Sequence, residues 1–467
     1  MRQSSSGFPR RASLAWAVGL MSLSWAGCGA EGQEPAPEAR PVDAPARAET
    51  FEDFRAKAWL EQDTGIYVVD GDIPVLGGEA GLREEYERRM RSAPSEDGLG
   101  TSRAPLIVNT VAGRDDRWTY SQQRYLPYCV STAFGGNYAR VVTAMAQAAS
   151  AWQAVNVRFL HRGDQDGNCT AANNNVLFDV NPVSGQPYLA RAFFPNYGRA
   201  QRNVLIDSSS FGGTGVWTLA GILRHELGHT LGFRHEHTRP EAATCFEDNN
   251  WRALTGYDAA SVMHYPQCRG SNTGDLNITA TDLTGATALY GALSDAHFDA
   301  AFYLNNHADL LAAFGPTGYT AARNHWEASG INEARRSATH FDAPYYLSIH
   351  ADLRAAFGAT NYRAARDHWL GNGLNEGRRG SREFDVGYYL AFHADLRAAF
   401  GNNYAAALNH WRTAGLYEGR RGSAEFDVGY YLGANPDVAA AYGARNYAAA
   451  MDHWIFAGRA QGRRGVP

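Results

Sequence analysis

The stretch His225–His237, HELGHTLGFRHEH, places four histidines and two glutamates in thirteen residues, in a chain with 15 histidines among 467. No other feature restricts the local fold as tightly. His225 and His229 are four apart, so on a helix both project from one face, a turn apart. Glu226 then sits on the adjacent strip, placed to hydrogen-bond a water on an ion rather than to ligate the ion. Gly232 lets the chain leave the helix in a conformation other residues resist, and His235 can return as a third ligand. Three neutral imidazoles with an open fourth position describe a catalytic Zn2+ site, because structural zinc sites are closed by four protein ligands. The expected chemistry is hydrolysis of a peptide bond by a zinc-activated water, with Glu226 as general base and then proton donor to the leaving amine. A bare HExxH arises easily by accident; the longer pattern fixes three histidines, a glutamate and a glycine together.

A chain this long implies about three domains at ~150 residues each. Hydrophobic residues are 45% and charged residues 19%, which is ordinary for globular protein. The net charge of −5 excludes a nucleic-acid surface or a polybasic membrane anchor as the main business of the chain. Residues 105–291 read as an α+β domain. RYLPYCVST, VRFL, VLFDV, YLARAFF and NVLID are strand-like. YARVVTAMAQAASAWQAV puts Val141, Met145, Ala149 and Trp152 on one helical face, and VWTLAGILRHELGHTLG is a helix stopped at Gly232. A twisted mixed sheet with two long helices, zinc in the cleft, is the expected architecture.

After Gly291 the texture changes. Phe298, Phe341, Phe384 and Phe426 open four copies of one unit, at spacings of 43, 43 and 42, with Trp326, Trp369, Trp411 and Trp454 in register. Residues 292–467 are therefore expected to be an all-α tandem-repeat domain in which each copy has two short helical stretches and neighbours bury each other's aromatics. His325, His368, His410 and His453 precede the tryptophans and read as part of that packing, not as metal sites. The GRR closes form a basic stripe, read first as a solvated face. Substrate targeting or attachment to a surface or polymer is the role expected of such an array.

The N-terminus has Arg2, Arg10 and Arg11 before an apolar run from Leu14 to Trp25, the anatomy of an export signal over 1–30. WAGC resembles a bacterial lipoprotein box, which would lipidate Cys28; cleavage after Ala30 is the competing reading, so the protein is expected to be secreted or held on the bacterial envelope. In either case Cys129, Cys169, Cys245 and Cys268 remain, and outside the cell four cysteines suggest two disulfides with three connectivities. Cys129–Cys169 with Cys245–Cys268 closes the shorter loops. Residues 31–104 look like a pro-segment. A Pro/Ala-rich linker to Glu49 and a soft stretch from Ser92 to Pro105 flank two helices, around FEDFRAKAWL and EAGLREEYERRMRS, and the extended GIYVVDGDIPVL between them. Cleavage is expected in that soft stretch, after Arg103 for instance.

His225-Glu226-x-x-His229-x-x-Gly232-x-x-His235 resembles the metzincin zinc peptidases, and GFRHEH with SVMHY at Ser261–Tyr265 is similar to their astacin branch. The resemblance implies that Met263 is the turn methionine beneath the zinc and that Tyr265 is a movable extra ligand and hydroxyl donor to the oxyanion. It implies that Glu236 contacts the mature N-terminus and that YLARAFFP, Tyr188–Pro195, is the edge strand along which an extended substrate lies. VDGDI at Val69–Ile73 resembles the astacin pro-segment motif, which implies that Asp72 binds the zinc and keeps the precursor latent; a plain polar turn is the competing reading. Protein or peptide substrates follow from this resemblance, and no nucleic acid from the net charge. The alternative from another class is a surface adhesin whose repeats are the working part. An intact Glu226 speaks against it, since a scaffold has no use for a proton acceptor beside the metal.

Overall fold

The computed structural model describes residues 49–62, 64–91, 104–212 and 217–467. The export signal, Cys28, the first linker as far as Ala48 and the expected cleavage stretch as far as Arg103 lie outside them.

The pro-segment begins with helix α1 (Phe51–Lys57), closed at its start by a reciprocal Thr50–Asp53 capping box. Strands β1 (Trp59–Glu61), β2 (Ile66–Val69) and β3 (Ile73–Val75) form an antiparallel sheet in that order, followed by helix α2 (Gly78–Arg91). The first helix is shorter than its sequence suggests: Ala58 turns to extended backbone, and Trp59 and Leu60 pair with Val68 and Tyr67 instead. Phe51, Phe54, Tyr67, Val69, Ile73, Val75 and Leu82 make a small core that also takes in Phe194 from the next region.

That region is the expected mixed sheet with two long helices. Strands β4 (Ala104–Val111) and β5 (Arg114–Asp115) precede β6 (Leu126–Val130), β7 (Phe159–His161), β8 (Phe178–Val183), β9 (Ala190–Arg191), β10 (Asn203–Asp207) and β11 (Trp251–Thr255). The main sheet runs β7-β6-β8-β10-β9; its first four strands are parallel and β9 is antiparallel at the edge, pairing Leu205 with Arg191 and Ile206 with Ala190. Helix α3 (Tyr138–Trp152) buries Val141, Met145, Ala149 and Trp152, the face read from the sequence. It packs on helix α4 (Leu219–Thr230), and the Trp152 indole donates to the Arg224 carbonyl at 2.8 Å. Helix α5 (Ala280–Tyr290) closes the domain over β4 and β11. The disulfides are Cys129–Cys169 and Cys245–Cys268, with Cα separations of 5.5 and 5.8 Å.

Each repeat holds three short helices and a π-helical turn, rather than the two helical stretches its sequence suggests. In the second copy these are Ala343–Ile349, Ala351–Phe357, Tyr362–His368 and the turn Trp369–Gly373. The extra break comes at His350, whose extended backbone ends one helix and starts the next. The tyrosines Tyr303, Tyr346, Tyr389 and Tyr431 place their hydroxyls 2.9, 3.1, 2.9 and 2.7 Å from Nδ1 of the repeat histidines. A Cβ on Gly330, Gly373, Gly415 or Gly458 would lie 2.0 Å from the same hydroxyls, so only glycine fits there. Histidine, tyrosine and glycine are thus one packing module. The basic stripe is largely neutralised within the chain: Arg335, Arg378, Arg420 and Arg463 each pair at 2.8 Å with the aspartate of their own copy. The copies also close on themselves, the Phe302 ring of the first lying 5.4 Å from Phe456 of the last.

Candidate metal centre

Helix α4 starts where the Thr218 hydroxyl accepts from the Gly221 amide. Trp217 and Thr218 stay outside it, so the helix is shorter than the apolar pattern suggests. It carries His225, Glu226 and His229, all buried. At Gly232 the backbone turns to φ +90°, and a Cβ there would lie 2.0 Å from the Asp116 carbonyl oxygen. The next residues pair with β4, the Asn109 amide donating to the Gly232 carbonyl at 2.7 Å and the Arg234 amide to the Ile107 carbonyl at 3.0 Å. This pairing returns the chain so that His235 faces the helix.

The three imidazoles converge. Nε2 of His225 lies 3.2 Å from Nε2 of both His229 and His235. Their outer nitrogens are already committed: Nδ1 faces the Val262 carbonyl at 2.8 Å in His225, the Phe233 carbonyl at 2.8 Å in His229 and the Glu247 carboxylate at 2.5 Å in His235. An Nδ1–H donated outward leaves the Nε2 lone pair aimed inward in each neutral ring. Three inward lone pairs at that spacing repel one another unless a cation lies among them, and borderline-soft nitrogen donors suit zinc. The site therefore fits the ion that the sequence implies.

Asp72 is the fourth member. The Asp70–Gly71 turn between β2 and β3 takes positive φ at both residues, 55° and 99°, and presents the next carboxylate to the histidines. Its Oδ2 is 3.3 Å from Nε2 of His225 and 3.6 Å from that of His229; Oδ1 is 3.1 Å from that of His235. VDGDI is thus a polar turn, and it sets the Asp72 carboxylate beside the three histidines. The Tyr265 hydroxyl donates to Asp72 Oδ2 at 2.5 Å, and its ring lies 4.5 Å from that of His235.

Glu226 opens onto a cavity of about 340 Å³ together with His225, Tyr265, Ile222, Trp217 and Leu276. Its Oε2 is buried without a hydrogen-bond partner. Burial, then the negative charge of Asp72, pushes its carboxyl well above the usual range. Beneath the helix, Met263 is fully buried, on a turn held by Asp282, which accepts from the Ser261 hydroxyl at 2.6 Å and the Val262 amide at 2.9 Å. Glu236 is fully buried; one oxygen accepts from the Asp258 amide at 3.2 Å and the other has no partner. The segment Tyr188–Pro195 contributes only Ala190–Arg191 as strand, at the sheet edge beside the cavity.

Two functional residues escape a reading of the sequence alone. Gly228, inside the motif, is the closest approach of the methionine turn: a Cβ there would lie 2.3 Å from Met263 Sδ. Glu247 orients His235 and is itself gripped by Arg234 at 2.8 Å, within a loop that no periodicity marks.

Residues 121–290 match the model of the Peptidase_M57 family, described as a dual-action HEIGH metallo-peptidase. The chain is also similar to two proteins of Caenorhabditis elegans. It is 25% identical to zinc metalloproteinase nas-34 over 49% of this chain and 38% of that protein, and 26% identical to zinc metalloproteinase nas-14 over 52% and 46%. It thus spans less than half the length of either relative. Among solved structures, high choriolytic enzyme 1, a hatching-enzyme zinc protease of Oryzias latipes, is 22% identical with a TM-score of 0.27, covering 38% of this chain and 94% of that one. Myroilysin is 15% identical with a TM-score of 0.28, covering 39% and 98%. The family match falls on the segment that carries the three histidines and the methionine turn. That segment is metzincin-like and astacin-like, and its histidines with Asp72 form a group that could hold a metal ion.

Proposed function

We propose that this chain is an exported, zinc-dependent endopeptidase made as a latent precursor. The observation that carries the reading is the convergence of three Nε2 atoms whose rings are each committed outward through Nδ1. His225, His229 and His235 would hold the ion, which when bound acidifies a water to a pKa of about 7 and polarises a carbonyl. Glu226 is assigned as the proton acceptor: it lines the cavity beside His225 and one of its oxygens has no hydrogen-bond partner, so it is free to take a proton and return it to the leaving amine. The Tyr265 hydroxyl, which donates to Asp72 in the precursor, is assigned to donate to the developing oxyanion once Asp72 has left. Met263 supports the helix from below, and Glu236 is assigned to the new N-terminus, which would satisfy its unpartnered oxygen.

Latency is assigned to Asp72, whose carboxylate lies within ligand distance of all three histidines and would hold the position a water needs. Cleavage between Ser92 and Pro105 would free it. Two disulfides support export. The test is casein hydrolysis by the processed protein, alone, with a zinc chelator and as Glu226→Gln. Hydrolysis should vanish in the last two, and activity that survives Glu226→Gln defeats the mechanism.

A further inference from the structure

A second contact between the pro-segment and the cleft involves no metal ligand. Glu61, at the end of β1, is 5% exposed and faces Arg191 on the edge strand β9, which is fully buried. The guanidinium grips the carboxylate with two parallel bonds, Nε to Oε1 at 2.5 Å and Nη2 to Oε2 at 2.7 Å. The Tyr188 hydroxyl adds a third at 2.5 Å. Nη1 is anchored elsewhere, donating to Asn203 Oδ1 at 2.8 Å. The planar fork is therefore fixed in orientation by the catalytic domain itself, and two of its donors are aimed outward at whatever lies on the edge strand.

Among the described residues, Glu61 is the one carboxylate that pairs with Arg191. It belongs to the piece that the proposed activation would remove. Release would leave the guanidinium and the phenol hydroxyl without that acceptor, and a carboxylate is the group whose geometry matches the emptied fork. Tyr188, Leu189 and Ala190, the residues leading into Arg191, line the same cavity as His225 and Glu226. A peptide laid along the edge strand would pass over this fork on its way to the histidines.

We infer that Arg191 and Tyr188 form a carboxylate-binding subsite of the cleft, filled by Glu61 in the precursor and by an acidic side chain of the peptide substrate in the processed protein. The inference rests on the peptidase reading and names part of its substrate class. A glutamate is the better fit, since the pro-segment reaches the fork with that length of side chain. Arg191 acts here as a specificity-determining residue, and the proton transfers stay with Glu226.

The test uses the full chain with a site-specific protease sequence placed between Ser92 and Arg103, cleaved and freed of its pro-segment. Binding is read with the Glu226→Gln protein, so that it does not depend on turnover, using fluorescent decapeptides in which one glutamate is moved along the sequence against glutamine at each position. One position should bind about tenfold more tightly as glutamate, the scale of a hydrogen-bonded charge. Arg191→Gln should abolish that difference while leaving the glutamine peptide's affinity in place. Arg191→Lys should restore part of it. Should Arg191→Gln not fold, Tyr188→Phe keeps the guanidinium, removes one donor and should lower the discrimination several-fold. Equal binding of glutamate and glutamine peptides at every position, or discrimination that persists in Arg191→Gln, would overturn the inference and leave Arg191 as an anchor for the pro-segment alone. Failure of the peptidase reading shows separately, as no cleavage of any peptide by the protein that retains Glu226.

Discussion

At the scale of single residues, the centre depends on groups that hold its ligands as much as on the ligands. Gly228 lies inside helix α4, where alanine would ordinarily stabilise by about 1 kcal/mol. Here the sign reverses, because a methyl group would fall 2.3 Å from Met263 Sδ and 3.1 Å from the Trp152 ring. Overpacking of this kind costs about 1–3 kcal/mol, so Gly228→Ala should lower stability in a denaturant titration and weaken zinc affinity as the turn is pushed down. Glu247 acts from the side. Its carboxylate accepts the outer Nδ1–H of His235, and burial of that carboxylate is outweighed by His235 and Arg234, which keep it ionised. Glu247→Gln leaves Arg234 its pair with Asp248 and should lower zinc affinity by about 10–100-fold, measured by competition with a chromogenic chelator. A variant that binds zinc as tightly as the parent would show that the ring needs no such orientation.

At the scale of elements, how much was legible depends on whether an element's reason lies within it. The His225–His235 pattern and the buried face of α3 were readable because one period carries the whole signal: Val141, Met145, Ala149 and Trp152 all point one way. The disulfide pairs were readable from loop length. Strand β1 was not, because Trp59 and Leu60 continue an apolar helical pattern and become strand only through pairing with β2. The third helix of each repeat was hidden by the break at one residue, a histidine in three copies and Asn435 in the last, that joins two helices. His340 shows the same limit, since nothing local marks it as buried. Its Nε2 faces the Asp295 carbonyl at 2.8 Å, and burial, followed by the Arg412 charge, pushes its pKa down to about 3. The unfolded chain binds the proton near 6.5 and the folded chain only near 3, so this group costs stability as pH falls between those values, by at most about 1.4 kcal/mol per pH unit. Above pH 6.5 it has no effect. His340→Gln should flatten the acid limb of a plot of melting temperature against pH relative to the parent; parallel limbs would contradict the assignment.

At the scale of the molecule, the repeats are bound into the catalytic domain rather than strung behind it. Tyr120, on the helical turn Tyr120–Gln123, packs against both clusters of repeat aromatics. Arg124, the next residue after that turn, pairs with Asp452 of the last copy, and both are buried. Arg117 donates to the Pro316 carbonyl at 3.1 Å in the first copy, and Arg158 stacks 4.9 Å over Tyr417 in the third. The first and last copies therefore hold the same short stretch of the catalytic domain, and ring closure through Phe302 and Phe456 ties those copies to each other. A tether that only carried the enzyme to a surface would need none of these contacts. Removing one partner of a buried pair strands the other charge, at a cost of about 3–5 kcal/mol. Asp452→Asn should thus lower the stability of the catalytic domain, more than 300 residues away in sequence, as well as that of the repeats. Calorimetry of the parent should show one transition, and the variant one transition at lower temperature. Two separate transitions in the parent, with only one moved by Asp452→Asn, would mean that the domains fold independently and that the repeats are an appendage after all.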